Sequence, residues 1–156
     1  MSQNDTQFFE DNEKCIDAII AKVGTRIVFG MPLGLGKPYR LINALYRRAK
    51  EDSRLHLKMI TAISLEKPQG ASSLEKNFLE PFVARQFRGV PDLDYVRDVR
   101  NNTLPKNVEL CEFFFKAGSY LNNPSQQQNF VYSNYTHAAR DLLRNGVNVV
   151  AQMIAK

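Results

Sequence analysis

The stretch Ile27-Val28-Phe29-Gly30-Met31-Pro32-Leu33-Gly34-Leu35-Gly36-Lys37-Pro38 decides how this chain is read. Three β-favouring apolar residues make a short buried strand. A glycine-bearing loop from Gly30 to Gly36 follows. Pro38 then suits the first turn of a helix, where its missing N–H costs nothing. That helix carries Leu41, Ile42, Leu45 and Ala49 on one face. Strand, loop and helix in this order form one half of a βαβ unit.

Working outward, the same alternation recurs. Upstream, Cys15, Ile16, Ile19, Ile20 and Val23 repeat at helical spacing, with Asp11 as cap and Gly24 as stop. Downstream, Leu57 to Ile63 reads as a second strand and ends next to Ser64. Ser72 and Glu75 have capping-box spacing, and the helix they start meets Pro81, which is expected to break or restart it. Residues 88–107 are polar and read as loop, with a short helix near Tyr95. Val108 to Phe115 is the third strand, and Asn122 to Asn129 reads as a turn. Thr136 to Asn145 is a helix closed by Gly146, and Val147 to Ile154 is the fourth strand. Short apolar strands alternating with helices predict an α/β fold: three layers, with a mostly parallel sheet and helices on both faces. Residues 1–10 read as a leader and 11–156 as one domain. The chain stops just after a strand of buried type, so a further domain is expected to follow.

Composition limits the function. The chain has 156 residues, 44% of them hydrophobic, enough for a core without disulfides. No apolar run is long enough to cross a bilayer, so no membrane contact is expected. Met1 to Thr6 is polar and lacks a signal peptide's apolar region; the expected location is the cytoplasm. Cys15 and Cys111 lie far apart in apolar patterns and read as structural thiols. His56 and His137 have no catalytic or ligating partner at a telling spacing, and no metal site is expected. The net charge of +5 favours an anionic partner. Its densest part is Arg40, Arg47, Arg48 and Lys50, with Arg54 and Lys58 just after. This is either a solvated helix face or a contact for phosphates. No nucleic-acid motif is present, and Phe113-Phe114-Phe115 reads as core strand because no basic residues interleave with it.

Ligands of open α/β sheets bind beyond the carboxyl ends of the strands. Gly30, Gly34 and Gly36, then Ser64, then Gly118 and Ser119 all fall there. Glycines let a backbone point N–H groups at an anion, and the helix after Pro38 adds its positive end. Such loops also occur in any α/β protein, and Ser64 can equally terminate its strand. A phosphate-binding P-loop fails, because Met31 stands where its first glycine belongs and Pro38 where it needs Ser or Thr. A dinucleotide fingerprint fails at Tyr39. Glu112 is out of place in an apolar strand and can be solvent-facing, paired or functional.

Gly24, Ile27-Val28-Phe29-Gly30 and Gly36-Lys37-Pro38 together resemble the amino-terminal signature of family I coenzyme A transferases. Met31 and Pro32 depart from it, where the family has Gly and Phe, as does Val23 where it has Asp or Asn. These departures point to the acetyl-CoA hydrolase/transferase branch. Ile60-Thr61-Ala62-Ile63-Ser64 resembles that branch's Thr-Gly-Ala-Ser strand end, with Ala62 replacing glycine. Asn134-Tyr135-Thr136-His137-Ala138-Ala139 and Val149-Val150-Ala151-Gln152 resemble the helix and strand that close the family's first domain.

The resemblance implies two similar α/β domains with the active site between them. A glutamate on the second domain would carry CoA as a thioester. No matching glutamate motif occurs here, so no catalytic residue is named and this chain alone is expected to be inactive. Gly30, Gly34, Gly36 and Ser64 would line the cleft for acyl-CoA, a substrate along with a small carboxylate; no tightly bound cofactor is implied. The partner would be the second domain, and an isolated half would leave an apolar patch through which copies could associate. The alternative is a self-sufficient binding module for a nucleotide or another phosphate-bearing ligand.

Overall fold

In the computed structural model, which describes residues 6–154, the chain builds four strands and six helices among those residues. Helix α1 (Asn12–Val23) starts at Asp11, whose side chain accepts from the Glu13 N–H, and stops at Gly24 in a positive-φ conformation. Strand β1 (Arg26–Gly30) leads through a single 3-10 turn at Gly34–Gly36 into α2 (Tyr39–Glu51). Then come β2 (His56–Thr61), α3 (Ser73–Gln86), α4 (Asp94–Arg100) and β3 (Val108–Glu112). Two short helices, α5 (Pro124–Gln128) and α6 (Ala138–Arg144), precede β4 (Val149–Val150). The sheet has the order β3-β2-β1-β4 and every pairing is parallel. This is the expected α/β architecture.

Register explains the core. Ile27 pairs with Leu57 and Leu57 with Val108; two residues on, Phe29 pairs with Met59 and Met59 with Leu110. Period-2 alternation puts all six side chains on one face. There they are buried with Ile16 of α1, Ile42, Leu45 and Tyr46 of α2, and Tyr95 of α4. The opposite face carries Val28, Lys58 and Glu109, none of them buried, and then Gly30, Ile60 and Cys111, which are buried. Lys58 Nζ donates to Asn145 Oδ1 at the end of α6, a helix with no buried residue.

Several boundaries differ from the sequence reading, each for a local reason. The fourth strand shrinks to two residues because the Asn148 side chain takes backbone positions. Its Oδ1 accepts from the Val28 N–H and its Nδ2 donates to the Arg26 carbonyl. The third strand ends at Glu112 rather than Phe115. Phe115 turns instead into an aromatic cluster with Tyr120 and Phe130, while Phe114 faces solvent. The second strand ends at Thr61 rather than Ile63. Helix α3 runs through Pro81 without a break. The helix has no buried residue, so water can reach the carbonyl left unpaired by the missing N–H. Its start is the expected capping box, Ser72 with Glu75. Residues 124–128, read as turn, form α5, capped by Asn123. Cys111 is buried and Cys15 half-buried, both as free thiols. Among the described residues no helix is long and apolar enough to cross a membrane.

Gly30 shows how closely β4 seats on β1. A Cβ added there would lie 3.2 Å from Val147 Cγ1 and 3.4 Å from Val150 Cγ2. Gly30→Val adds three carbons to that contact and is expected to destabilise the domain by about 1–3 kcal/mol in a denaturant titration. An unchanged midpoint would show that β4 does not pack against β1 in this way.

Candidate functional site

The carboxyl edge of the sheet concentrates the buried polar groups. Thr61 ends β2, Glu112 ends β3 and the Gly30–Lys37 loop leaves β1. All three elements meet because parallel strands deliver their ends to one side. Lys37 is fully buried, and its Nζ donates to the Pro32 carbonyl at 2.6 Å and to Thr61 Oγ1 at 2.5 Å. The lysine thereby ties its own loop to the end of β2. Burial pulls its pKa down to about 8, against the attraction of the nearby Glu112 charge.

Glu112, 2% exposed, has both carboxylate oxygens occupied. Oε1 accepts from the Ser64 N–H at 2.5 Å and Oε2 from the Tyr120 hydroxyl at 2.6 Å. Ser64 Oγ in turn lies 3.0 Å from the Tyr95 hydroxyl. Burial pushes the Tyr95 and Tyr120 phenols well above their ordinary range, and the Glu112 charge adds to this at both. Among the described residues no buried side-chain nitrogen or oxygen lacks a partner. The network is complete as it stands.

Beside it opens a cavity of about 950 Å³, between the loop after β2, helix α4 and the segment after β3. Ser64, Tyr39 and Glu112 reach its wall, as do Tyr120, Phe115 and Arg97. Arg100 braces one side: it pairs with Glu66, donates to the Ser119 carbonyl, and sits over the Tyr120 ring. The volume suits a small organic ligand.

Of the residues singled out in the sequence, Ser64, Glu112 and Ser119 line this cavity, and Gly30, Gly34, Gly36 and Gly118 do not. Gly30 is buried against Val147 and Val150. Gly34 takes a φ of 70°, and its carbonyl accepts from the Lys37 N–H. The Gly36 carbonyl accepts from the Met153 N–H. The glycine loop and Ser64 share an edge of the sheet but lie on different parts of it. Sequence reasoning gave no role to Tyr95, Tyr120 and Arg100, and met Lys37 only in a P-loop that fails and in the family-like Gly36-Lys37-Pro38 segment. The one available signal was an acidic residue inside an apolar strand, Glu112, which is paired rather than solvent-facing.

The basic cluster on α2 is largely consumed by ion pairs: Arg47 with Asp94, Arg48 with Asp17, Lys50 with Asp98. Arg54 just after it pairs with Asp52. Exposed pairs of this kind stabilise little, but they leave few of these cations for phosphates.

These features define an open parallel α/β domain with a ligand-sized cavity at its carboxyl edge. Comparison with protein-family models, with curated proteins and with solved structures gives no match.

Two measurements test the network. Glu112→Ala leaves the Ser64 N–H and the Tyr120 hydroxyl without an acceptor and removes the carboxylate whose charge favours protonated Lys37; it is expected to cost about 3–5 kcal/mol. Glu112→Gln can keep both hydrogen bonds and should cost markedly less in the same denaturation assay. Equal stability of all three proteins would rule the network out as a stabilising element.

The second measurement is stability against pH. Between about 8 and the ordinary lysine value of 10.5, the unfolded chain holds a proton on Lys37 that the folded chain has lost. Stability is therefore expected to rise with pH across that window, by an amount on the order of 3 kcal/mol, relative to Lys37→Met. The raised tyrosines act oppositely at higher pH and cancel in the comparison. A difference between the two proteins that stays flat with pH would show that Lys37 does not bury its amine.

Proposed function

We propose that this chain is the amino-terminal α/β domain of an acyl-CoA hydrolase or coenzyme A transferase. The observation that carries the reading is the ordered set of segments resembling that family: Gly24 with Ile27–Gly30, Gly36–Pro38, Ile60–Ser64, Asn134–Ala139 and Val149–Gln152. The parallel sheet supports it, since both the glycine loop and Ser64 reach the edge where ligands of open α/β sheets bind.

In this reading a glutamate on a second domain attacks the acyl-CoA carbonyl and expels the CoA thiolate, leaving an acyl-glutamyl anhydride. The thiolate then attacks the glutamyl carbonyl and releases the acyl group as a carboxylate. Passing CoA from the glutamyl thioester to another carboxylate gives a transferase; cleaving that thioester with water gives a hydrolase. The first domain contributes positioning and polar groups rather than the nucleophile. Glu112 is poorly suited to attack, because it is buried and both of its oxygens are already hydrogen-bonded.

The test is an acetyl-CoA assay following thiol release and acetate exchange. This chain alone is expected to be inactive, and a longer protein carrying the second domain active. Turnover by this chain unaided would place a nucleophile within these residues and overturn the reading.

A further inference from the structure

The charges lining the carboxyl-edge cavity cancel in number but not in pairing. Four acidic and four basic side chains reach its wall. Glu66 pairs with Arg100, and Asp92 with Lys67 at 3.0 Å. Asp94 is held from outside the cavity by Arg47 of α2 at 2.6 Å. Glu112 is held by the Ser64 N–H and the Tyr120 hydroxyl, with the Lys37 charge behind it. Every lining carboxylate is thus matched, two of them by groups that do not themselves face the cavity as cations.

Two lining cations remain, Arg97 on α4 and Lys116 after β3. Among the described residues neither makes an ion pair or a side-chain hydrogen bond, and both are exposed. The nearest acid to Arg97 in sequence, Asp98, is already taken by Lys50 and by the Tyr46 hydroxyl. The same wall is partly apolar and aromatic, with Phe87, Pro91 and Phe115.

Two uncommitted cations bordering a cavity of about 950 Å³ call for a ligand with at least two negative charges and an organic body. A small monocarboxylate offers one charge and would leave most of the volume unfilled.

We propose that this cavity binds a phosphorylated organic molecule. Arg97 and Lys116 take its phosphate oxygens, and its apolar part lies against Phe87 and Phe115. The inference does not rest on acyl transfer, because the cations and apolar side chains it uses all line the cavity of this chain. Coenzyme A and free adenine nucleotides share the required chemistry.

Calorimetric titration of this chain with coenzyme A, with ADP and with inorganic pyrophosphate tests the proposal. At least one organic ligand is expected to bind, with pyrophosphate at least tenfold weaker for want of a body to fill the cavity. Tighter binding of coenzyme A than of ADP would identify a coenzyme site, and the reverse a nucleotide site. The double substitution Arg97→Ala with Lys116→Ala removes only exposed side chains, so folding should persist by circular dichroism. Each lost charge-assisted contact should weaken binding by about tenfold or more. No binding of either organic ligand, pyrophosphate binding as tightly as they do, or full affinity in the double variant would each overturn the proposal. A longer protein that turns over acetyl-CoA while this chain binds neither organic ligand would sink this site and leave the acyl-transfer reading standing.

Discussion

A lysine and a glutamate are buried at the same end of one sheet, and neither is satisfied without groups from other elements. Lys37 reaches Pro32 within its own loop and Thr61 at the end of β2. Glu112 reaches Ser64 beyond β2 and Tyr120 beyond β3. Burying either charge alone would cost several kcal/mol. Their partners offset that cost only while the three connections after β1, β2 and β3 hold one arrangement. The conformation of this edge, where a parallel sheet meets its ligand, therefore rests on these contacts.

The rest of the domain supports that constraint unevenly. One face of the sheet is sealed by α1, α2 and α4 over Ile27, Phe29, Leu57 and Met59. Ion pairs along α2 fasten it to α1 and α4 at its margins. The other face is buried toward its carboxyl end, at Gly30, Ile60 and Cys111, and less covered at Val28, Lys58 and Glu109. Helix α3 is exposed along its length, with Leu74 and Phe78 in solvent. A core with one firm side and a network at one end is expected to transmit changes at the edge along α2 and α4 more than through α3 or α6. The cavity is bounded by α4 and by the loops that the network holds, so its shape depends on the firm side.

Electrostatics at the edge separates into two layers. The inner layer, Lys37 and Glu112 with their hydroxyl and amide partners, is matched and buried, and meets the cavity only at Ser64, Glu112 and Tyr120. The outer layer, around the cavity mouth, keeps a positive surplus on Arg97 and Lys116. The protein's net charge of +5 thus does not act through the basic cluster on α2, most of which is neutralised in place. The surplus that matters for a ligand lies on two residues with no distinguishing pattern in the sequence.

By itself the sequence determined the strand–helix alternation and the parallel sheet. Period-2 apolar runs such as Ile27–Phe29 and helical spacing such as Leu41, Ile42 and Leu45 are local signals, set by side-chain geometry along one element. It also determined the caps at Asp11 and Ser72, which need only their neighbours. Ser64 was legible as a residue of the carboxyl edge because it follows a parallel strand; which part of that edge opens into a cavity was not. The tertiary structure alone decided that the glycine loop packs on β4 and folds back on Lys37 instead of opening to the cavity. It alone paired Glu112 with Tyr120 and Ser64, which lies 48 residues away in the chain. It alone shortened β4, through the reach of Asn148 to β1. Those outcomes depend on which groups meet across strands, and a pattern read along one chain carries no record of such meetings.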